Sequence, residues 1–200
     1  MSFERERKYR IKNQEAFNRV VSQNLRKSLI IQWYDNFGVR TRLEKVDGEE
    51  IWTLNFKKEI EKGLRQEKEK IINKNMVNPE SLKNQKLVMK FRYFLNYDPE
   101  IVVDELLNPC NCINYKKDLK EIKYLLEIEE KTKNVDLDGY LRNFLGSLYL
   151  ELEDLTYKEG YNNTDFAGEY ICEWETFWKN INSNTWCEVS KNFFGRKNGS

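Results

Sequence analysis

The sequence predicts an α+β protein: a closed antiparallel eight-stranded β-barrel, or tunnel, with peripheral helices and a helical C-terminal segment. Three observations carry that expectation. Period-two runs joined mostly by short turn signals fill the chain from residue 2 to 131, and from Asp136 the apolar period becomes helical. On most of the runs one face is aliphatic or aromatic and the other is charged. A single domain is expected over 1–190, with its barrel strands mainly at 2–131, helices at 136–182 and a flexible tail at 191–200.

The first run is Phe3 to Tyr9. As a strand it sets Glu4, Glu6 and Lys8 in one row, about 7 Å apart. Two carboxylates beside an ammonium can hold a divalent cation and still offer positive charge to an anion; alone, the same pattern also suits a solvated sheet face. Asn13 then caps a short helix through Gln23, with Phe17, Val20 and Val21 at helical spacing.

A strand over Ser28–Tyr34 turns at Asp35-Asn36 into a second over Phe37–Leu43, where Arg40 and Arg42 oppose Phe37, Val39, Thr41 and Leu43. Asp47-Gly48 is a hairpin turn into Ile51–Lys57, with Trp52, Leu54 and Phe56 on one face and Thr53, Asn55 and Lys57 on the other. Past a polar link at Glu61–Gly63, the strand Leu64–Ile71 carries Arg65, Glu67 and Glu69 in register, and Asn78-Pro79-Glu80 starts a helix of about two turns.

In Leu87–Leu95, Lys90 and Arg92 face away from Leu87, Met89, Phe91, Tyr93 and Leu95. Asp98-Pro99 turns the chain into Glu100–Leu106, which brings Asp104. After an ambiguous stretch at Tyr115–Lys120, the strand Ile122–Glu130 sets Glu127 and Glu129 against Tyr124, Leu126 and Ile128. One helical stripe then runs from Leu137 to Leu152, and another joins Phe166, Tyr170, Trp174, Phe177, Trp178 and Ile181. Both are expected to cover the core.

Composition narrows the chemistry. With 34 basic and 33 acidic residues the net charge is +1, so bulk electrostatics favour neither nucleic acid nor an anionic membrane. Histidine is absent, which removes His-based nucleophile pairs, His acid–base chemistry and His-ligated metals. The four cysteines, Cys110, Cys112, Cys172 and Cys187, do not match the usual zinc spacings and are expected to be reduced structural thiols. No apolar run has the length of a membrane span and the first residues are charged, so a cytoplasmic location is expected.

The charged rows can face water on a half-buried sheet, but like pairs (Glu4/Glu6, Arg40/Arg42, Lys90/Arg92, Glu127/Glu129) are costly without counter-charges opposite. Closing the sheet with its apolar faces outward supplies them. A shared wet lumen then holds Lys8, Arg40, Arg42, Lys57, Arg65, Lys90 and Arg92 against Glu4, Glu6, Glu67, Glu69, Asp104, Glu127 and Glu129. Its basic half suits a chain of phosphates, and its acidic half suits Mg²⁺ or Mn²⁺.

These motifs, as an ordered set over about residues 2–131, resemble the CYTH domain of the triphosphate tunnel metalloenzymes. Glu4-Arg5-Glu6-Arg7-Lys8 is similar to the family's opening motif. Val39–Arg42, Leu54–Lys57, Arg65–Glu69, Lys90–Tyr93, Val103-Asp104 and Leu126–Glu129 follow in its order, and Thr156 with Tyr161-Asn162-Asn163 resembles the segment before its last helix. Asn55 in place of a Thr, Arg5 at an often apolar position and the long helical tail are departures.

The resemblance implies a metal-dependent triphosphatase that releases orthophosphate from inorganic tripolyphosphate or a related triphosphate. Lys8 and Glu6 would be catalytic, Lys8, Arg40, Arg42, Lys57, Arg65, Lys90 and Arg92 would bind substrate, and Glu4, Glu6, Glu67, Glu69, Asp104, Glu127 and Glu129 would hold Mg²⁺ or Mn²⁺. The alternatives are a class IV-type adenylyl cyclase and a non-hydrolysing triphosphate binder. The expected partner is a small triphosphate, with a homodimer left open.

Overall fold

The computed structural model describes residues 2–61, 64–130 and 135–182, with side chains at 5–56, 68–130 and 135–181. Its strands are β1 (Ser2–Ile11), β2 (Arg26–Tyr34), β3 (Val39–Val46), β4 (Glu49–Glu61), β5 (Leu64–Ile72), β6 (Lys86–Tyr97), β7 (Glu100–Leu106), β8 (Ile113–Asn114), β9 (Tyr124–Glu130), β10 (Leu152–Asp154) and β11 (Glu169–Tyr170). Its helices are α1 (Gln14–Val21), α2 (Pro79–Lys83), α3 (Leu119–Ile122), α4 (Leu137–Leu145), α5 (Asn163–Phe166) and α6 (Trp174–Asn182).

A nine-stranded sheet runs in the order β10-β1-β5-β4-β3-β2-β6-β7-β9, with β1 also paired to β9. All its pairings are antiparallel. β1 meets β5 through Ser2–Arg5, β9 through Arg5–Arg10 and β10 through Tyr9–Ile11, so it has three partners in the sheet.

Local chemistry sets the elements. Asn13 Oδ1 accepts from the Ala16 amide at 2.8 Å and caps α1, and Asn78 caps α2 from Glu80 at 3.1 Å. Asp47 and Gly48 both have positive φ, 51° and 85°, which is the geometry a two-residue hairpin loop needs.

The apolar sheet face and the helices form one main core. Ala16, Phe17 and Val20 of α1, Leu137 and Leu141 of α4, and Trp174, Phe177 and Ile181 of α6 pack on Tyr9, Leu29, Ile31, Trp33, Leu43, Trp52, Met89, Leu126 and Ile128. Trp33 stacks on Trp52 at 5.9 Å, and Trp178 covers Trp52 from α6 at 6.0 Å. Burying each such ring contributes about 1.5–3 kcal/mol.

Several expectations are corrected. Phe37 is not in a strand: Gly38 has φ +80°, β3 begins at Val39, and Phe37 is exposed. Leu54 and Phe56 share the face of Trp52 as expected but are exposed, because the α6 contact is made at Trp52. The stripe from Leu137 is not one helix. It stops at Gly146, φ 56°, continues as a 3-10 turn over Gly146–Glu151 and ends in β10.

The second stripe is divided into α5, β11 and α6, because β11 pairs with β8 and Gly168 sits against the Asn114 backbone, where a Cβ would come within 2.5 Å of a carbonyl oxygen. Residues 115–120 lead into α3, which takes Ile122 out of the predicted strand.

Nor are the cysteines all reduced. The β8–β11 pairing brings Cys112 and Cys172, 60 residues apart in sequence, to a Cα separation of 5.3 Å in a disulfide. Cys110 is a free, exposed thiol, and Cys187 lies outside the described residues. Among the described residues no helix is long and apolar enough to cross a membrane.

Candidate functional site: a charged sheet face

Residues opposite each other in an antiparallel ladder share a face. Glu6 opposes Glu129 and Lys8 opposes Glu127 across β1 and β9. Arg92 opposes Asp104 across β6 and β7, and Gln32 opposes Arg42 across β2 and β3. Arg40 opposes Asn55, which opposes Glu69. With alternation along each strand, Glu6, Lys8, Arg40, Arg42, Glu69, Lys90, Arg92, Asp104, Glu127 and Glu129 therefore fall on the face opposite the main core. Glu4 opposes Arg65 and Lys57 opposes Glu67 in backbone register, and the side chains of these four predicted site residues lie outside the described residues.

The described groups form two linked networks. In the first, Arg92 forks onto Asp104, with Nε and Nη2 each 2.7 Å from a carboxylate oxygen, and its Nη2 also reaches Glu127 at 3.2 Å. Lys90, at 0% exposure, donates to the same Asp104 carboxylate, which is 2% exposed. Lys8 Nζ lies 2.9 Å from Glu127 and 4.0 Å from Glu6, and donates to the Tyr161 carbonyl at 3.2 Å.

In the second network, Glu69 accepts from Asn55 at 3.1 Å and pairs with Arg40 at 3.5 Å. Turning the Gln32 amide lets its oxygen accept at 3.2 Å from both Arg40 and Arg42, while its nitrogen donates to the Tyr34 hydroxyl at 3.3 Å. Among the described residues Arg42 has no carboxylate within ion-pair range.

The electrostatics follow from these contacts. Burial, with Arg92 adding to it, lowers the Lys90 ammonium to about 8 despite Asp104. Burial also lowers Arg42, to about 10, and the neighbouring Arg40 and Arg92 cations push the same way. Burial alone would raise Glu127 and Asp104; Lys8 and Arg92 reverse this for Glu127, and Arg92 and Lys90 reverse it for Asp104, leaving both below their usual values. Around Asp104 and Glu127 the charges are closely paired, whereas Arg42 feels the Glu44 and Glu69 carboxylates less strongly than burial and the neighbouring cations.

The site brings together most of what the sequence singled out, with two differences. Asp104 is wholly engaged by Lys90 and Arg92, a structural counter-ion rather than a ready metal ligand. The expected carboxylate set is also not a cluster: among the described residues no three His, Cys, Asp or Glu side chains gather to hold a metal ion. Sequence reading missed Gln32, whose only signal is a polar residue between Ile31 and Trp33. It also missed the backbone of Tyr161, although the Thr156–Asn163 segment had been noted: Thr156 Oγ1 accepts from the Lys8 amide at 3.2 Å, beside the Tyr161 contact to Lys8 Nζ.

Fold and site together define an antiparallel-sheet protein with one apolar, helix-covered face and one charged face. No family model matches the chain, and no curated protein does. Solved structures do. The PH1819 protein from Pyrococcus horikoshii OT3 matches at 21% identity and TM-score 0.51, over 75% of this chain and 93% of that one. A conserved hypothetical protein, Pfu-838710-001 from Pyrococcus furiosus, matches at 17% and 0.51, over 75% and 94%. The inorganic triphosphatase NE1496 matches at 18% and 0.44, over 81% and 92%. At such identities the likeness is one of fold.

Proposed function

We propose that this protein is a divalent-metal-dependent triphosphate hydrolase acting on inorganic tripolyphosphate or a related triphosphate, inside a closed eight-stranded barrel formed by β1 to β7 and β9. Closure is supported by the pairing of β1 with both β5 and β9. The observation that carries the substrate class is Arg42: a half-buried guanidinium beside Arg40, lowered to about 10 by burial and by the neighbouring cations, marks a place where an anion relieves repulsion.

In this reading the guanidiniums of Arg40 and Arg42 take non-bridging phosphate oxygens, and Lys57 and Arg65 are further candidates by backbone register. Lys90 and Arg92 are held in place by Asp104 and set the potential behind them. Lys8, fixed by Glu127 and the Tyr161 carbonyl, donates a hydrogen bond to the attacking water or to the phosphoryl group it meets. The water oxygen bonds to the terminal phosphorus as its bridging P–O bond breaks; the diphosphate leaves with the electron pair, the water's proton passes to the departing oxygen or to solvent, and orthophosphate forms.

Glu6 and Glu129 face each other across the ladder, with Lys8 4.0 Å from Glu6, and their oxygen donors suit a hard cation such as Mg²⁺ or Mn²⁺. Glu4 lies two residues before Glu6, and Glu67 and Glu69 are further candidates. When bound, such an ion neutralises phosphate charge and polarises the phosphorus.

The test is phosphate release from tripolyphosphate, ATP and pyrophosphate, with Mg²⁺, Mn²⁺ or chelator, on the wild type and Glu6→Gln. Metal-dependent release that Glu6→Gln abolishes supports the reading. Cyclic AMP with pyrophosphate from ATP would make it a cyclase, and stabilisation by tripolyphosphate without turnover a binder.

A further inference from the structure

The charged face changes character towards one end. Val88 lies two residues before Lys90, Leu106 two after Asp104 and Leu125 two before Glu127, so by alternation all three share the charged face. There they pack with Ile122, Leu155, Phe166 and Ala167 in a second hydrophobic cluster, separate from the main core, with Tyr34, Tyr115 and Tyr161 against it. Every member of this cluster is between 0% and 2% exposed.

The segment that supplies it is tied to the sheet along its length. The Leu155 amide donates to the Lys8 carbonyl at 2.8 Å, the Tyr161 carbonyl accepts from Lys8 Nζ, and the Lys116 amide donates to the Phe166 carbonyl at 3.2 Å. Leu87 and Gly168 exchange two backbone hydrogen bonds, at 2.8 and 3.0 Å. A dry apolar cluster held in this way excludes a phosphate chain, whose charges have no partners there. Away from it the charged side chains open to solvent, from 0% at Lys90 through 12% at Arg40 to 40% at Glu69.

We infer that the charged face ends blind at the Val88–Leu106–Leu125–Phe166 cluster, so that a phosphate chain enters from the Glu69 side with a free, unsubstituted terminus first. This rests on the function proposed above and narrows its substrate class. Chains with one free end are accepted, with any organic group or chain extension left at the mouth. Chains substituted at both ends are refused, and long polyphosphate is shortened only from its ends.

Binding of tripolyphosphate, ATP and diadenosine tetraphosphate to the intact protein, measured by calorimetry, tests this. The expected result is that tripolyphosphate and ATP bind while the doubly substituted chain binds at least about 100-fold more weakly than ATP. Diadenosine tetraphosphate binding within about 3-fold of ATP would overturn the blind end and leave the hydrolase reading standing. Failure of tripolyphosphate itself to bind would remove both. Products from long-chain polyphosphate give a second readout: orthophosphate from the first time point fits end-first access, whereas fragments of intermediate length overturn it.

Discussion

Lys8 and Glu127 face each other across the β1–β9 ladder and form an ion pair of 2.9 Å. The contact joins the opening motif to the last long strand, and Tyr161 holds the same ammonium from the segment beyond. Lys8→Met leaves Glu127 with Arg92 as its partner and is expected to lower stability by about 3 kcal/mol, the scale for breaking a buried pair. Lys8→Met with Glu127→Gln should regain most of that loss without regaining phosphate release; urea denaturation and a release assay on the two variants check the two effects separately.

Lys90 gives the fold a signature in alkaline solution. The unfolded side chain titrates near 10.5 and the folded one near 8, so between those values the unfolded chain binds more protons and Lys90 makes stability rise with pH. Below about 8 the charged form is buried at a cost, partly offset by Asp104. Urea midpoints measured at pH 7 and pH 9.5 should show the wild type gaining on Lys90→Met at the higher pH by about 2 kcal/mol. Triphosphate binding should move the opposite way, weakening above pH 8 as the positive charge is lost.

Arg42→Gln separates binding from folding. Losing a charge-assisted contact to phosphate is expected to weaken tripolyphosphate binding by about 10- to 100-fold. The thermal midpoint should stay level or rise, because repulsion from Arg40 and Arg92 is relieved. A variant that binds normally would take Arg42 out of the substrate path.

Trp52 links the sheet to α6 through its contacts with Trp33 and Trp178. Trp52→Ala is expected to cost about 3–5 kcal/mol by denaturant unfolding, with the loss felt first in α6. Proteolysis near residue 174 reads that local release.

The Cys112–Cys172 disulfide closes a loop of 60 residues, which corresponds to about 4 kcal/mol of chain entropy as an upper bound. Reduction, or Cys112→Ser, should lower the unfolding midpoint. It should leave phosphate release at moderate temperature intact, since neither sulfur lies on the charged face.

What was legible in the sequence was local. Alternation of Glu6 and Lys8, of Arg40 and Arg42, and of Lys90 and Arg92 states which residues share a face, and the ladder registers bear that out. Asp47-Gly48 and Asn13 are readable because a hairpin loop and a helix cap each need specific side chains at one position. The partner of each charge was not readable. Nothing in the spacing of Asp104 shows that Lys90 and Arg92 both bind it, and nothing brings Cys112 to Cys172 until β8 meets β11. The helical stripes misled because apolar residues continue at helical spacing across Gly146 and Gly168, where the backbone leaves the helix.

The placement of β1 also orders events during synthesis. Among the described residues this is the strand with three neighbours, and the residues it pairs with lie at 64–67, 125–130 and 152–154. On a ribosome its outer partners emerge on the order of ten seconds after it does, at typical elongation rates. The earliest of the described strands in this sheet is therefore the last to be fully partnered, and its unpaired edge is the surface a chaperone would guard while the rest of the sheet is assembled.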